Sequence, residues 1–558
     1  MNSTEALEDD LIRDPDTTRL LGTFAGIGNN ANHMIGVGIF SSPGLVLSEI
    51  QSPGIALILW VVGGIATAFG SLSYVELGSS MPDGGGETVY LAQAYPRPKA
   101  LLSYMFSFTM IVAIQPAYTS AITNVFAQYF LYLVKAAEHC DIDYLHPKKY
   151  ITDWNFWQLR LCSLAAVVIV TAYHMASNKW ANRINQTLTI IKMLTLLTIS
   201  IIGLATIPRF INDENTNWKN MFPRDANISA RSLTAALMPI LFAYSGWNNL
   251  NYTLDEFKNP QQKLFTSNSI SVGIVTFLYL CANIAYTNVP LSKITGYNEP
   301  SEIIAGKFAF QVGDFKLARA LSFFVCLSAF GALAANVWAG SRVIVAAAKR
   351  NYLPFSSQLK KWNKDTDTPI FALITQAVWS SLIILFYPHN DPFKFFVNLS
   401  EYCVWVFLFL TVLGLLILRH SQPNLNRPIS VPTIIPKLFI LFTLFVIIGS
   451  FVNDSSTMPH QEQQPNDSQL CGSNNYKYAK YEYYLPYVIS LVVIGVGAIC
   501  WYFLYKLSCK IKVIIETGNN VSTHISEDGT NQSVELPLEV TKTNDSQSMD
   551  KENFYKNP

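Results

Sequence analysis

Long uncharged apolar runs alternate with short charged clusters along most of the chain. From Pro53 to Val75 no residue carries a charge, and that run includes LILWVVGGIATAFG. A stretch of about 18 or more such residues suits a membrane span better than a soluble core helix. Read in windows of about 19 residues, spans are expected near 22–47, 53–79, 101–133, 157–177, 184–208, 231–255, 266–288, 314–347, 370–388, 393–418, 434–453 and 485–508. These twelve segments predict an all-α polytopic membrane protein. The spans at 101–133 and 314–347 are long enough to need tilt or to extend past the bilayer.

Composition sharpens this picture. Half of the 558 residues are hydrophobic and 14% are charged, against about 25% charged in soluble domains. Lys plus Arg number 39 and Asp plus Glu 38, which excludes the basic excess of a nucleic-acid binder. Residues 1–20 are polar and acidic with no apolar h-region, so no cleaved signal is expected and the first span itself inserts. Residues 21–508 form the expected helical domain, and 509–558 a polar tail without periodicity, expected to be disordered. An even number of spans puts both termini on one side. Loop Lys and Arg are nearly balanced, so the positive-inside rule decides little. Lys506, Lys510 and Lys512, with Lys349, Arg350, Lys360, Lys361 and Lys364, favour cytoplasmic termini.

Five cysteines (Cys162, Cys281, Cys326, Cys403, Cys500) fall inside spans, where they pack as small apolar residues. Cys140 and Cys471 fall in loops 3–4 and 11–12 on the opposite, oxidising face. A disulfide between them, a bond from Cys140 to a partner chain, and free thiols all stay open. Asn227 and Asn466 head glycosylation sequons on that face. His139, Cys140 and His146 lack the flanking ligands of a zinc site, and no metal or cofactor is expected.

The first span reads Met34-Ile35-Gly36-Val37-Gly38-Ile39-Phe40. Two glycines there predict a break in mid-membrane, which is tolerated only where backbone lines a cavity. The half-helix after such a break offers free N–H groups and a positive dipole end to an anion. Gly26-x-Gly28-x-x-Ala31 fits a dinucleotide fingerprint only formally, because no strand precedes it. The sixth span carries a matching interruption from Leu241 to Tyr252, around Ser245-Gly246-Trp247-Asn248. Interrupted segments at corresponding places in two five-helix halves, about 22–208 and 231–418, point to an inverted-repeat transporter with a midplane site. Helices 11–12, about 434–508, lie outside the repeats.

At these residues the chain resembles the amino acid–polyamine–organocation superfamily, and within it the L-type amino acid transporter group, including fungal high-affinity methionine permeases. The resemblance rests on Ile35 to Phe40, Ser52 to Leu57, Tyr74 to Gly78, Gly84 to Tyr90, Phe242 to Asn251, Glu256 to Pro260, Ser341-Arg342, and Leu418 to Pro423 with Arg427-Pro428. It covers about 20–450 and implies a LeuT-like fold with cytoplasmic termini. It further implies that a substrate carboxylate meets the N–H groups of Gly36, Val37 and Gly38. The ammonium would meet carbonyls near Met34 and Ile35 and near Phe242 and Ser245. Phe242 resembles an aromatic gate and Asn248 a residue steadying the second break. Many relatives carry Ser or Thr where this chain has Val37, so backbone donors alone must serve here.

Ionisable residues inside spans are functional candidates by default. By resemblance, Lys192 stands where sodium-driven relatives bind a cation, which implies sodium-independent transport or proton titration; snorkelling to the interface is the plainer alternative. Glu401 is a second candidate for proton coupling, Glu76 a helix tether, and His33 a polar packing residue. Gln115 and Asn336 are plausible pocket members. The expected function is a plasma-membrane permease, not an enzyme, for neutral amino acids such as methionine. The alternatives are an exchanger light chain disulfide-linked through Cys140 to a single-span glycoprotein, and a nutrient receptor that does not transport.

Overall fold

The computed structural model describes residues 22–82, 84–138, 156–211, 217–224, 226, 228–252, 254, 260–291, 294, 303–387, 392–452 and 483–507. Cys140, Cys471, His139, His146, Asn227 and Asn466 lie outside them, as do both polar tails.

The helices follow in order: α1 Thr23–Met34, α2 Gly38–Ile50, α3 Pro53–Ser80, α4 Glu87–Ala94, α5 Leu101–Thr109, α6 Gln115–Glu138, α7 Phe156–Ala176 and α8 Asn178–Phe210. Then come α9 Ala230–Tyr244, α10 Pro260–Tyr286, α11 Ile304–Val312, α12 Phe315–Lys349, α13 Ser356–Leu359, α14 Ile370–Phe386, α15 Pro392–Ser421, α16 Ile434–Gly449 and α17 Leu485–Trp501. A π-helical segment, Met110–Ile114, joins α5 to α6 into one span. Trp501 closes the first compact unit, and the π-helical Tyr502–Leu507 belongs to a second.

Among the described residues, eight helices are long and apolar enough to cross a membrane, and the bent pair α1 and α2 makes a ninth. Three shorter apolar helices, α9, α14 and α16, stand at the expected sixth, ninth and eleventh positions. At 1.5 Å per residue α14 and α16 are roughly 25 Å long, a little under the hydrocarbon core, which local thinning or flanking polar groups accommodate. α9 is short for a different reason. The sixth span was expected to run over 231–255, and its helix stops at Tyr244, at the interruption. The multi-pass helical architecture is therefore as the hydropathy predicts.

The helix contacts carry the signature of the inverted repeat. Spans in corresponding positions of the two halves pack on each other: α2 on α9, α3 on α10, α6 on α12, and α7 on α14. Cross pairs are mirrored too, with α6 on α15 matching α12 on α8, and α1 on α10 matching α3 on α9. A pseudo-two-fold relation between halves generates such pairing, and it brings the two interrupted spans together at the centre. The fold is LeuT-like. Large apolar side chains such as Ile58, Val168, Ile201, Phe277 and Val492 face outward, where lipid covers them.

Candidate functional site

The first interruption is a bend of 41° between Gly26–Met34 and Gly38–Ile50. Val37 precedes α2 and supplies no side-chain cap, so the N–H groups of its first turn lack the partners a capping residue would give. Among the described residues the N–H groups of Gly36 and Val37 make no backbone hydrogen bond. Gly38 is needed for close approach, because a Cβ there would lie 2.4 Å from the Ala243 Cα. That contact lets the two interrupted spans touch backbone to backbone.

The other side of this bend is the C-terminal end of α1, where unsatisfied carbonyls and the negative dipole end favour a cation. Lys192 of α8 supplies one: it is fully buried, and its Nζ donates to the Asn32 carbonyl at 2.5 Å. It points inward to the bend and does not reach for the interface.

The second interruption follows Tyr244. Ser245 turns extended, with ψ 145°, and Gly246 takes φ +102°, a conformation that favours glycine. A short 3-10 turn, Asn249–Tyr252, follows. Polar side chains from other helices hold this unwound stretch. The Tyr118 and Ser245 hydroxyls bond at 2.9 Å, and Tyr118 also donates to Glu401 Oε1 at 2.7 Å. Trp405 Nε1 donates to Glu401 Oε2 at 3.0 Å, so both oxygens of this buried carboxylate accept a bond. Asn248 Nδ2 donates to Glu87 Oε1 at 2.6 Å, and the Tyr74 hydroxyl donates to the same oxygen at 2.9 Å. The two breaks also share a partner. The Tyr279 hydroxyl lies 2.7 Å from the Met34 carbonyl and 2.9 Å from the Ala243 carbonyl.

Between the breaks lies a cavity of about 120 Å³, similar to the ~150 Å³ cavity that admits benzene in an engineered protein. Of the residues named from sequence, Met34, Gly36, Val37, Gly38, Phe242, Ser245 and Asn248 line it, together with His33, Gln115 and Asn336. Ile35 does not; it is fully buried, and its N–H bonds back to the Ala31 carbonyl at 2.9 Å. Lys192 and Glu401 stand behind the lining, one against α1 and one behind Tyr118. Phe242 packs between Tyr118 and Phe393, at ring-centroid distances of 5.6 and 5.7 Å. Sequence reasoning overlooked Glu87, Tyr118 and Tyr279. Glu87 left a signal, a carboxylate directly after Gly84-Gly85-Gly86 and before the apolar α4, but the two tyrosines look like ordinary span residues.

Two inverted halves, each interrupting its first helix around one small cavity, define a secondary carrier of the membrane. The chain belongs to the amino acid permease family, whose profile it matches over residues 20–465. It is 30% identical over 426 residues to the human cystine/glutamate transporter, covering 75% of this chain and 78% of that protein. It is 30% identical over 437 residues to the mouse large neutral amino acids transporter small subunit 2, covering 77% and 76%. The mouse b(0,+)-type amino acid transporter 1 matches at 30% over 440 residues, 78% of this chain and 83% of that protein.

Proposed function

We propose that this chain is a plasma-membrane permease, with cytoplasmic termini, that carries neutral amino acids by alternating access, with methionine as the first candidate. The observation that carries the reading is the cavity between the two breaks. It pairs the uncapped N-terminus of α2 with the carbonyls that end α1 and α9, which suits the two ends of a zwitterion. Its lining includes Met110, Ile122, Ala332, Ala335 and Val404 but, among the described residues, no Lys or Arg. An acidic side chain would therefore find no strong cation, whereas methionine would find apolar and polarisable contacts. The buried Lys192 amine at the end of α1 supports independence from sodium, since it donates to the Asn32 carbonyl beside the first break. Uptake is proton-coupled through a buried carboxyl, and Glu401 is the one the sequence nominates.

The test is uptake of labelled methionine by a transporter-deficient cell, in competition with all twenty amino acids. Large neutral competitors should block uptake and glutamate should not. If no neutral amino acid enters, the reading fails. Proteoliposome flux separates a carrier from a receptor, because a receptor binds label without accumulating it. A second reading, a disulfide-linked light chain, is favoured by one finding: a mouse relative's name calls it a small subunit. Cys140 would supply the link, and a heavier species that collapses with reductant would establish it.

A further inference from the structure

We propose that Glu87 is the group that takes up the transported proton, and that its carboxyl is protonated during the closure that carries substrate and ionised on the return. This rests on the proton-coupled reading above and names the site. Glu87 opens α4, an eight-residue helix between the second and third spans, too short to cross a membrane itself. It is 2% exposed and lines the cavity. No ion pair to it forms among the described residues. Its Oε1 accepts from Tyr74 and Asn248, while its buried Oε2 makes no hydrogen bond. An ionised carboxylate is acceptor-only and wants donors on both oxygens, whereas a protonated one keeps an oxygen for the proton. Glu401 has the first pattern, with a donor on each oxygen. Glu87 has the second.

The surroundings agree. The groups facing this carboxyl are Tyr74 from α3, Tyr252 and Asn248 from the second break, and His33 across the cavity. From α15, Thr411 reaches Tyr74 and Glu401 reaches Tyr118. The α5 residues Ser103 and Ser107 are neutral. The Arg350 guanidinium stands near Gly85 but makes no ion pair with Glu87. Burial pushes the Glu87 carboxyl above the ordinary carboxylate range, although the nearby Tyr252 hydroxyl, the residue's own backbone N–H, and the Tyr74 and Asn248 bonds pull the other way.

Position gives the proton a mechanical reading. Asn248 ties Glu87 to the unwound stretch, Tyr90 donates to Asn251 Oδ1 at 3.0 Å, and the Gly86 N–H donates to the Asn251 carbonyl at 3.1 Å. These bonds latch α4 onto the second break. When the latch parts toward one side of the membrane, water reaches Oε2, the proton passes to that water, and a carboxylate remains. When the cavity opens to the other side, water there returns a proton to Oε2 before closure.

The test uses full-length protein in proteoliposomes loaded with unlabelled methionine. For the wild type, a one-unit inward pH gradient should raise labelled methionine accumulation up to tenfold, equivalent to ~1.4 kcal/mol for one proton per substrate. In Glu87→Gln, exchange at equal pH should persist at a lowered rate, and the gradient effect and the accompanying proton flux should vanish. Glu87→Asp keeps a titrating group and should retain the gradient effect, which guards against misfolding of the glutamine variant. Glu401→Gln should also retain it. If Glu87→Gln responds to the gradient as the wild type does, or if only Glu401→Gln loses the response, Glu87 is not the site although coupling stands. A wild type indifferent to the gradient removes the coupling reading itself.

Discussion

Glu76 and Glu87 flank the turn between α3 and α4, and both carboxyls are sealed from solvent, yet their partners differ completely. Arg419 grips Glu76 with two nitrogens, Nε at 2.8 Å and Nη2 at 2.5 Å, and the Val431 N–H adds a third bond at 2.8 Å. Arg427 stands 3.8 Å away. This cluster ties the end of α3 to the end of α15 and to the segment leading into α16. Glu87 has neutral donors on one oxygen and nothing on the other. A buried charge is tolerated only where ions and donors surround it; Glu76 has them on both oxygens and Glu87 does not, and on the proposal above Glu87 is the one that changes state. One fastens the scaffold and the other faces the cavity.

The largest effect should come from breaking the permanent pair. Arg419→Ala strands a buried carboxylate and should cost about 3–5 kcal/mol, seen as loss of folded protein in detergent melts. A variant melting with the wild type would remove the contrast. Next comes the pH dependence of stability. Because the Glu87 carboxyl is raised in the folded state, the folded chain binds more protons than the unfolded one above ~4.3. The stabilising effect is full below that value, and stability falls as pH rises toward the folded-state value, by up to ~1.4 kcal/mol per pH unit. Glu87→Gln should lack that decline, which melts across acidic to neutral pH would show. Asn248→Ala should cost about 1 kcal/mol, the loss for a neutral acceptor, and a loss of 1.5–3 would mean that Glu87 is charged. Smallest of all, the coupling between Arg427 and Glu76 in a double-mutant cycle should be about 0.5 kcal/mol, since their 3.8 Å separation is too long for a hydrogen bond and Arg427 spends its donors on the Leu418 and Gln422 carbonyls.

The sequence disclosed the architecture well because hydropathy is local: each span announces itself within its own window. The break at Gly36 and Gly38 was legible for the same reason. What it reads poorly is polar partnership across the bundle. Lys192 could be seen as anomalous but not as facing Asn32, a residue of another span. Tyr118 of α6 joins Ser245 of the unwound stretch to Glu401 of α15, and no spacing along the chain records that. Glu76 was anticipated as a tether, although its partner Arg419 lies far along the chain and appears only in the fold.

The tyrosine shared by the two breaks has a consequence of its own. Tyr279 holds one hydroxyl hydrogen between the carbonyls of Met34 and Ala243, and a hydroxyl can serve only one acceptor well at a time. One hydrogen thus serves two carbonyls at the point where the halves meet, and either carbonyl is under-served at any instant. An ammonium brings three. On the proposed reading, an amino group reaching this point would let both carbonyls be satisfied at once, and the seam between the halves would tighten as the substrate's charged end docks.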